Sequence, residues 1–326
     1  MSDMIAPESP QAFATGRRAA GGLADRVFHA VTATCALIVL ALIVGIAVSL
    51  VVGAWPALSK FGFGFLLSSE WNPVTDTFGA LVAIFGTLVS SALAMVIAVP
   101  VSFGIALFIT ELSPVWLRRP ISTAIELLAA IPSIIYGMWG LFVFAPFLSD
   151  YVQPWLNDVF GDLPIFGYLF SGPPIGIGVF TAALVLAIMV IPFITAVMRD
   201  TFEVVPAVLK ESSYALGATT WEVVRSVILP FTKTGVIGGI MLGLGRALGE
   251  TMAVTFVIGN SHSIPNGLFY PGNSIAATLA NEFTEASGGL YTSALIALGL
   301  VLFVITLIVL ALARLLLMQL SNQEGR

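Results

Sequence analysis

The chain has 326 residues, of which 58% are hydrophobic and 10% are charged, and its mean hydropathy is +1.02. Soluble domains carry roughly 25% charged residues, so this composition excludes an ordinary soluble protein and predicts an integral membrane protein in a lipid bilayer. A net charge of −5 gives no basic excess for nucleic acid, and one Cys with two His cannot build a disulfide framework or a Cys/His metal site. We therefore expect no nucleic-acid partner, no metal and no redox cofactor.

Six apolar runs are long enough to cross a bilayer as helices, since a hydrocarbon core of about 30 Å needs roughly 20 residues. In chain order the runs are residues 30–54, 78–109, 121–147, 174–198, 235–259 and 293–318. The sequence therefore predicts an all-α membrane protein with six transmembrane helices. A tail is expected over 1–29, the first transmembrane helix over 30–54, and a second tail over 319–326.

The positions of Lys and Arg predict the orientation of these helices, because cytoplasmic loops are enriched in positive residues. All Lys and Arg except Lys60 and Arg246 lie before the first run, between runs two and three, between runs four and five, or at the C-terminal end. Both termini are therefore expected in the cytoplasm. His262 lies in an outer loop, where we expect it to be solvated.

The most informative segment is the loop 200–234 between the fourth and fifth runs. Its first half is predicted to be helical, and Gly217 is expected to end that helix. Thr219 and Glu222 form a T-x-x-E pattern typical of a capping box, which predicts a second short helix that ends before Pro230. The loop is therefore predicted to be a helix, a glycine turn and a helix, a shape that suits docking to a partner.

The same loop resembles the cytoplasmic E-A-A-x3-G-x9-I-x-L-P signature of permeases of binding-protein-dependent ABC importers. The signature positions are occupied by Glu211, Ser212, Ser213, Gly217, Val227, Leu229 and Pro230. The resemblance implies a type I ABC importer permease fold over 78–318, in which the loop 200–234 forms coupling helices that dock on an ATPase subunit. The coupling residues it implies are Glu211, Ser212, Ser213, Gly217, Trp221, Leu229 and Pro230. The alternative is an amphipathic hairpin on the membrane surface, although its polar face holds few Lys and Arg.

The chain itself carries no nucleotide-binding motif. The phosphate-binding pattern G-x4-G-K-[ST] does not occur in the sequence, and no His, Cys or paired carboxylates cluster toward one membrane face as enzyme chemistry would need. We therefore expect a permease without catalytic residues, whose partner ATPase binds ATP and Mg.

Arg246 and Glu250 lie near the middle of the fifth run. A charge at this depth costs on the order of 3 kcal/mol even on insertion scales, so both must face protein or water. Their i, i+4 spacing places them on one helical face, where they can pair. Two interpretations stay open. One is a substrate site, in which the guanidinium binds an oxyanion and Glu250 moderates the affinity; the other is a structural salt bridge.

Three stretches narrow the resemblance to permease subunits of high-affinity phosphate importers. They are residues 127–140, 210–260 and 271–283. The resemblance implies a multi-pass subunit of the bacterial inner membrane that forms half of a phosphate pathway past Arg246 and Glu250. The implied partners are a second, homologous permease, two cytoplasmic ATPase subunits and a periplasmic phosphate-binding protein.

Two alternatives remain. A permease for another oxyanion, such as sulfate or molybdate, is compatible with the same residues, because a guanidinium does not by itself select among oxyanions. A membrane channel or scaffold outside the ABC class fits the hydropathy but leaves the coupling loop without a role.

Overall fold

The computed structural model describes residues 21–324 except 162, 164 and 165. The chain divides into two compact units, the first ending at Val52 and the second beginning at Gly53. Much of the predicted tail 1–29 lies outside the described residues, and a helix begins at Gly21. The predicted tail 319–326 belongs to the last helix as far as 324, and its final two residues lie outside the described residues.

The described residues are almost entirely helical. In chain order the elements are α1 (Gly21–Phe61), α2 (Gly64–Leu67), β1 (Trp71–Asn72), β2 (Thr77–Phe78), α3 (Leu81–Leu107), α4 (Val115–Ala129), α5 (Ser133–Trp139), α6 (Ala145–Phe147), α7 (Gln153–Phe160), α8 (Phe166–Leu169), α9 (Val179–Glu203), α10 (Ala207–Ala215), α11 (Thr220–Val223), α12 (Leu229–Leu248), α13 (Met252–Val257), α14 (Ile275–Glu282) and α15 (Gly289–Glu324). Wider π turns continue or join some of these helices, at Phe108–Leu112, Gly140–Phe144, Leu148–Val152 and Val224–Ile228.

Six helical segments of the described chain are long and apolar enough to cross a membrane, which confirms the predicted number of spans. They are Ala24–Phe61, Leu81–Leu112, Ser133–Phe160, Val179–Glu203, Thr220–Leu248 and Gly289–Gln319. The third segment begins at Ser133 and not at residue 121, so the bounds predicted for that span were wrong.

A break in the helix displaces the third span. Helix α4 packs on α9, with Ile125 buried and Leu127 and Leu128 exposed. Pro132 then has extended backbone, with ψ 136°, and it disfavours helical geometry at Ile131. The apolar run that begins at 121 therefore folds as two helices, and the span is built from the second one and the helical turns that follow it.

Helix α9 lies at the centre of the second unit. Most of its side chains are buried, and it packs against α3, α4, α12 and α13. The contact with α12 is close because glycines face α9: a Cβ atom on Gly239 would lie 3.0 Å from Val197 Cγ1, and one on Gly243 would lie 2.6 Å from Ile194. Lipid removes the hydrophobic advantage of burying apolar side chains, so membrane helices associate through such close packing of small residues.

The described part of the first unit is the N-terminal portion of α1. Its side chains over 24–52 are almost all exposed and predominantly apolar, and none of its most hydrophobic stretch is buried. A helix that is apolar on all faces is typical of a segment surrounded by lipid.

Candidate functional site

The loop 200–234 folds as the sequence predicts in its first half. Helix α10 is followed by Gly217, whose φ of +87° lies in the left-handed region that favours glycine. Thr219 and Glu222 form the capping box: the Thr219 hydroxyl accepts a hydrogen bond from the Glu222 backbone N–H, and the Glu222 carboxylate accepts one from the Thr219 N–H at 2.7 Å. The helix, the glycine turn and the start of the second helix are therefore confirmed.

The second helix does not end before Pro230, so that part of the prediction was wrong. Helix α11, the π turn at 224–228 and α12 form one uninterrupted helical segment, Thr220–Leu248. Pro230 is tolerated because it lies in the first turn of α12, where the wider π turn has already changed the hydrogen-bond register. The second half of the loop 200–234 and Arg246 therefore lie on one continuous helix.

The predicted coupling residues lie on a surface with large exposed apolar side chains. Leu216, Val208 and Trp221 are 91%, 69% and 62% exposed. Trp221 is one of the predicted coupling residues. Of the remaining six, Glu211, Ser212, Gly217 and Pro230 are exposed, and Ser213 and Leu229 are half-buried. Apolar groups exposed together in this way occur at surfaces that contact other proteins or the membrane.

A second candidate site surrounds Arg246 at the C-terminal end of α12. The helix ends at Leu248, and Glu250 follows Gly249 outside it. Glu250 Oε1 accepts a hydrogen bond from the Ala253 N–H at 3.2 Å, in the first turn of α13. Arg246 and Glu250 therefore do not share one helical face, and the described residues show no ion pair between them. The expectation that they lie on one helix was wrong, because the helix breaks between them.

The Arg246 guanidinium has an incomplete set of partners. Its Nε is buried without a hydrogen-bond partner among the described residues, and its Cζ lies 5.3 Å from the centroid of the Phe193 ring on α9. The aromatic face attracts the cation but does not use its N–H donors. A buried donor left unpaired costs about 1–3 kcal/mol, and more when it is charged. Arg246 is therefore a positively charged group whose unpaired N–H can donate a hydrogen bond to an anion.

A second helix break, at 130–132, separates α4 from α5, which packs on α13. The Tyr136 hydroxyl on α5 donates a hydrogen bond to the Leu128 carbonyl at 3.0 Å, which connects the two sides of this break.

Gly137 allows close contact between α5, which follows the break at 130–132, and α13, which follows the break at 249–251. A Cβ atom on Gly137 would lie 3.0 Å from Met252 O and 3.1 Å from Ala253 Cα, so α5 touches the backbone at the start of α13. Interrupted helices inside a membrane protein are tolerated where they are buried in protein or line a water-filled cavity, and transporters bind substrates at such places. Sequence analysis missed this arrangement, although Pro132 and Gly249 are signals for the two breaks.

A polar and aromatic cluster lies at the end of the second unit opposite the coupling loop. The Glu282 carboxylate is contacted by His262 Nε2 at 2.8 Å, by Trp71 Nε1 at 2.7 Å and by the Tyr291 hydroxyl at 2.7 Å. Burial alone would raise the pKa of Glu282, but the hydrogen bonds from His262, Tyr291 and Trp71 outweigh it and place the pKa below its ordinary value of 4.5. His262 also stacks on the Trp71 ring, and its side chain is 32% exposed, so it is solvated only in part.

Comparisons with known proteins agree with this architecture. The family model described as "Binding-protein-dependent transport system inner membrane component" matches residues 98–320. The phosphate transport system permease protein PstC of Pasteurella multocida is 62% identical over 93% of this chain and 94% of its own length, and that of Mesorhizobium japonicum is 59% identical over 96% and 95%. The crystal structure of a bacterial ABC transporter involved in the import of the polysaccharide alginate covers 89% of this chain and 98% of its own chain, with a TM-score of 0.51 and 17% identity, which shows the fold.

The chain therefore belongs to the family of binding-protein-dependent transport system inner membrane components, the permease subunits of ABC importers. Within that family it belongs with the phosphate transport system permease proteins PstC. It is thus an inner-membrane permease with a type I importer fold, and it is not itself an enzyme.

Proposed function

We propose that this chain is the permease subunit of an ATP-driven phosphate importer and forms half of its translocation pathway. Relatives named as phosphate transport permeases support the substrate. The observation that carries the proposal is the Arg246 guanidinium, which lies just before the break that ends α12 and has its Nε unpaired among the described residues. A planar guanidinium binds phosphate oxygens with two parallel N–H donors, and its charge is permanent.

The proposal gives the chain several partners. A second, homologous permease of the PstA type completes the pathway, and two ATPase subunits of the PstB type dock on the loop 200–234 at the cytoplasmic face, where both termini also lie. A periplasmic phosphate-binding protein of the PstS type delivers phosphate to the opposite face. The ATPase subunits bind ATP and Mg, so this chain needs no cofactor, metal or catalytic residue.

Alternating access follows from the continuous helix between the loop and the site. When ATP closes the ATPase subunits, α11 moves with the surface on which Trp221 docks. Because Thr220–Leu248 is uninterrupted, that movement reaches Arg246. The break at 249–251 then allows α12 to move relative to α13, which stays packed on α5 through Gly137.

Uptake of radiolabelled phosphate into proteoliposomes that hold the whole complex and its binding protein tests the proposal. Arg246→Gln keeps a polar side chain but removes the guanidinium and its charge, and we expect it to lower ATP-dependent uptake by about 100-fold while the complex still assembles. Arg314→Gln changes an exposed arginine of α15 and is the matched control, which should transport normally.

Two outcomes would contradict the proposal in different ways. Wild-type uptake by Arg246→Gln would refute the site. Inhibition of labelled phosphate uptake by unlabelled sulfate or molybdate would retain an ABC permease that couples to ATPases, but would assign it a different oxyanion.

A further inference from the structure

Helix α10, the first half of the coupling loop, is weakly anchored by packing. None of its residues is buried. Its strongest attachment among the described residues is an ion pair, with Lys210 Nζ 2.6 Å from Glu111 Oε1. These side chains are only 18% and 7% exposed, so the pair is shielded from water and is far less weakened by solvent than a surface pair. The pair therefore fastens α10 to the segment that carries Glu111.

That segment is the end of the second span. Glu111 lies in the π turn Phe108–Leu112, which continues α3 without interruption. Such π turns are rare and occur frequently at functional sites. Removing one partner of a buried ion pair leaves an uncompensated charge. The charge of the buried Glu111 carboxylate is therefore balanced only while Lys210 keeps its position beside it.

Direct packing between the second span and the start of α11 is incomplete. A cavity of about 380 Å³ adjoins Glu111, with Leu107 and Leu112 on one side and Trp221 and Val224 on the other. Packing therefore joins the two only in part: Leu107 packs against the core that contains Val223 and Val224, whereas the cavity lies on the side nearer Glu111. Beside this cavity, the Lys210–Glu111 ion pair connects α10 of the loop to the end of the second membrane-spanning segment.

We propose that the Lys210–Glu111 pair carries the movement of α10 to the second span during each ATP cycle, an inference that rests on the proposed coupling role of the loop 200–234. The two halves of the loop then act on different spans. Helix α11 moves the fifth span through the continuous helix, and α10 moves the second span through the ion pair. Lys210 and Glu111 are positioning residues that touch neither phosphate nor ATP.

The ratio of phosphate transported to ATP hydrolysed, measured on the whole complex in proteoliposomes, tests this link. Glu111→Gln and Lys210→Gln should each lower the ratio by about tenfold, in the range of ordinary coupling between sites. The charge-swapped double variant, Glu111→Lys with Lys210→Glu, should recover to within about threefold of wild type, because the two changes interact. Asp25→Asn is the control that removes a carboxylate charge elsewhere, since Asp25 is exposed on α1, outside the loop 200–234, and has no ion pair among the described residues.

The ratio separates transmission of movement from mere stability. If the pair only stabilised the fold, uptake and hydrolysis would fall together and the ratio would stay at the wild-type value in both single variants, which would overturn the inference. Trp221→Ala tests the docking role itself. Suppose that Trp221→Ala impairs ATP hydrolysis and uptake, while the variants of Lys210 and Glu111 keep the wild-type ratio of phosphate transported to ATP hydrolysed. That result would overturn the ion-pair inference and leave the docking role of the loop intact. Unchanged hydrolysis and uptake in Trp221→Ala overturns the proposed role of the loop.

Discussion

The contact of Gly137 with α13 gives a sharp test of the paired helix breaks. An alanine Cβ at this position would lie 2.8 Å from Phe256 Cδ2, 3.0 Å from Met252 O and 3.1 Å from Ala253 Cα. The Phe256 ring can turn away, but the two backbone atoms cannot, so α13 must shift by a few tenths of an ångström. Overpacking of this kind costs about 1–3 kcal/mol, while alanine in place of glycine in a helix gains about 1 kcal/mol. We therefore expect Gly137→Ala to lower the free energy of unfolding by up to about 2 kcal/mol.

Phosphate uptake should suffer more than stability, because displacing a positioned group by about 1 Å can cost 100-fold in rate. We expect Gly137→Ala to lower uptake by about tenfold, measured in proteoliposomes beside the midpoint of thermal inactivation of the complex. The control is Gly238→Ala on α12, where an added Cβ meets no atom within 4 Å; it isolates the gain in helix propensity. If the two variants matched in uptake and in thermal midpoint, α5 and α13 would not be in the contact described and the reasoning would fail.

Two further changes test the coupling loop and the opposite end of the second unit. Gly217→Val forces a branched side chain to φ +87°, at a cost of at least about 1 kcal/mol, and we expect ATP hydrolysis to continue without phosphate uptake; normal uptake would contradict the coupling role. Glu282→Gln should lower the thermal midpoint at neutral pH, because the lowered pKa of Glu282 means that its carboxylate stabilises the fold. The difference from wild type should vanish as the pH falls below 4.5 and through the lowered pKa, and a difference that is independent of pH would show that this charge is not responsible.

The features that could be predicted from the sequence are those decided within one helical turn or by composition. Hydropathy alone predicts six spans. Gly217 ends α10 because glycine adopts a left-handed conformation at little cost, and the Thr219–Glu222 capping box needs only four consecutive residues. These rules act locally, so the helix, the glycine turn and the next helix start can be predicted before any tertiary contact is known.

The helix breaks could not be predicted in the same way, because a proline or a glycine within an apolar run does not by itself decide whether the helix continues. Proline alone does not decide the outcome. Pro100 and Pro192 lie inside the uninterrupted helices α3 and α9, whereas Pro132 follows a break. In a packed bundle, neighbouring helices and polar side chains can satisfy the carbonyl that a proline frees. Whether a helix continues through proline therefore depends on its neighbours. The contacts among Trp71, His262 and Glu282 could not be predicted either, because these residues lie far apart in the sequence and meet only in the folded structure.

The roles of Glu250 and Arg246 separate once the break between them is taken into account. Glu250 satisfies a backbone group at its break, because its carboxylate accepts a hydrogen bond from the Ala253 N–H at the start of α13. Tyr136 does the same at the other break, where its hydroxyl donates to the Leu128 carbonyl. Glu250→Gln retains an Oε1 acceptor and should lower phosphate uptake by only about twofold, whereas Glu250→Ala leaves that N–H unpaired and should lower it by about tenfold. If the charge of Glu250 instead held Arg246 in place, the glutamine and alanine variants would be equally impaired, and uptake measured in proteoliposomes would distinguish the two cases.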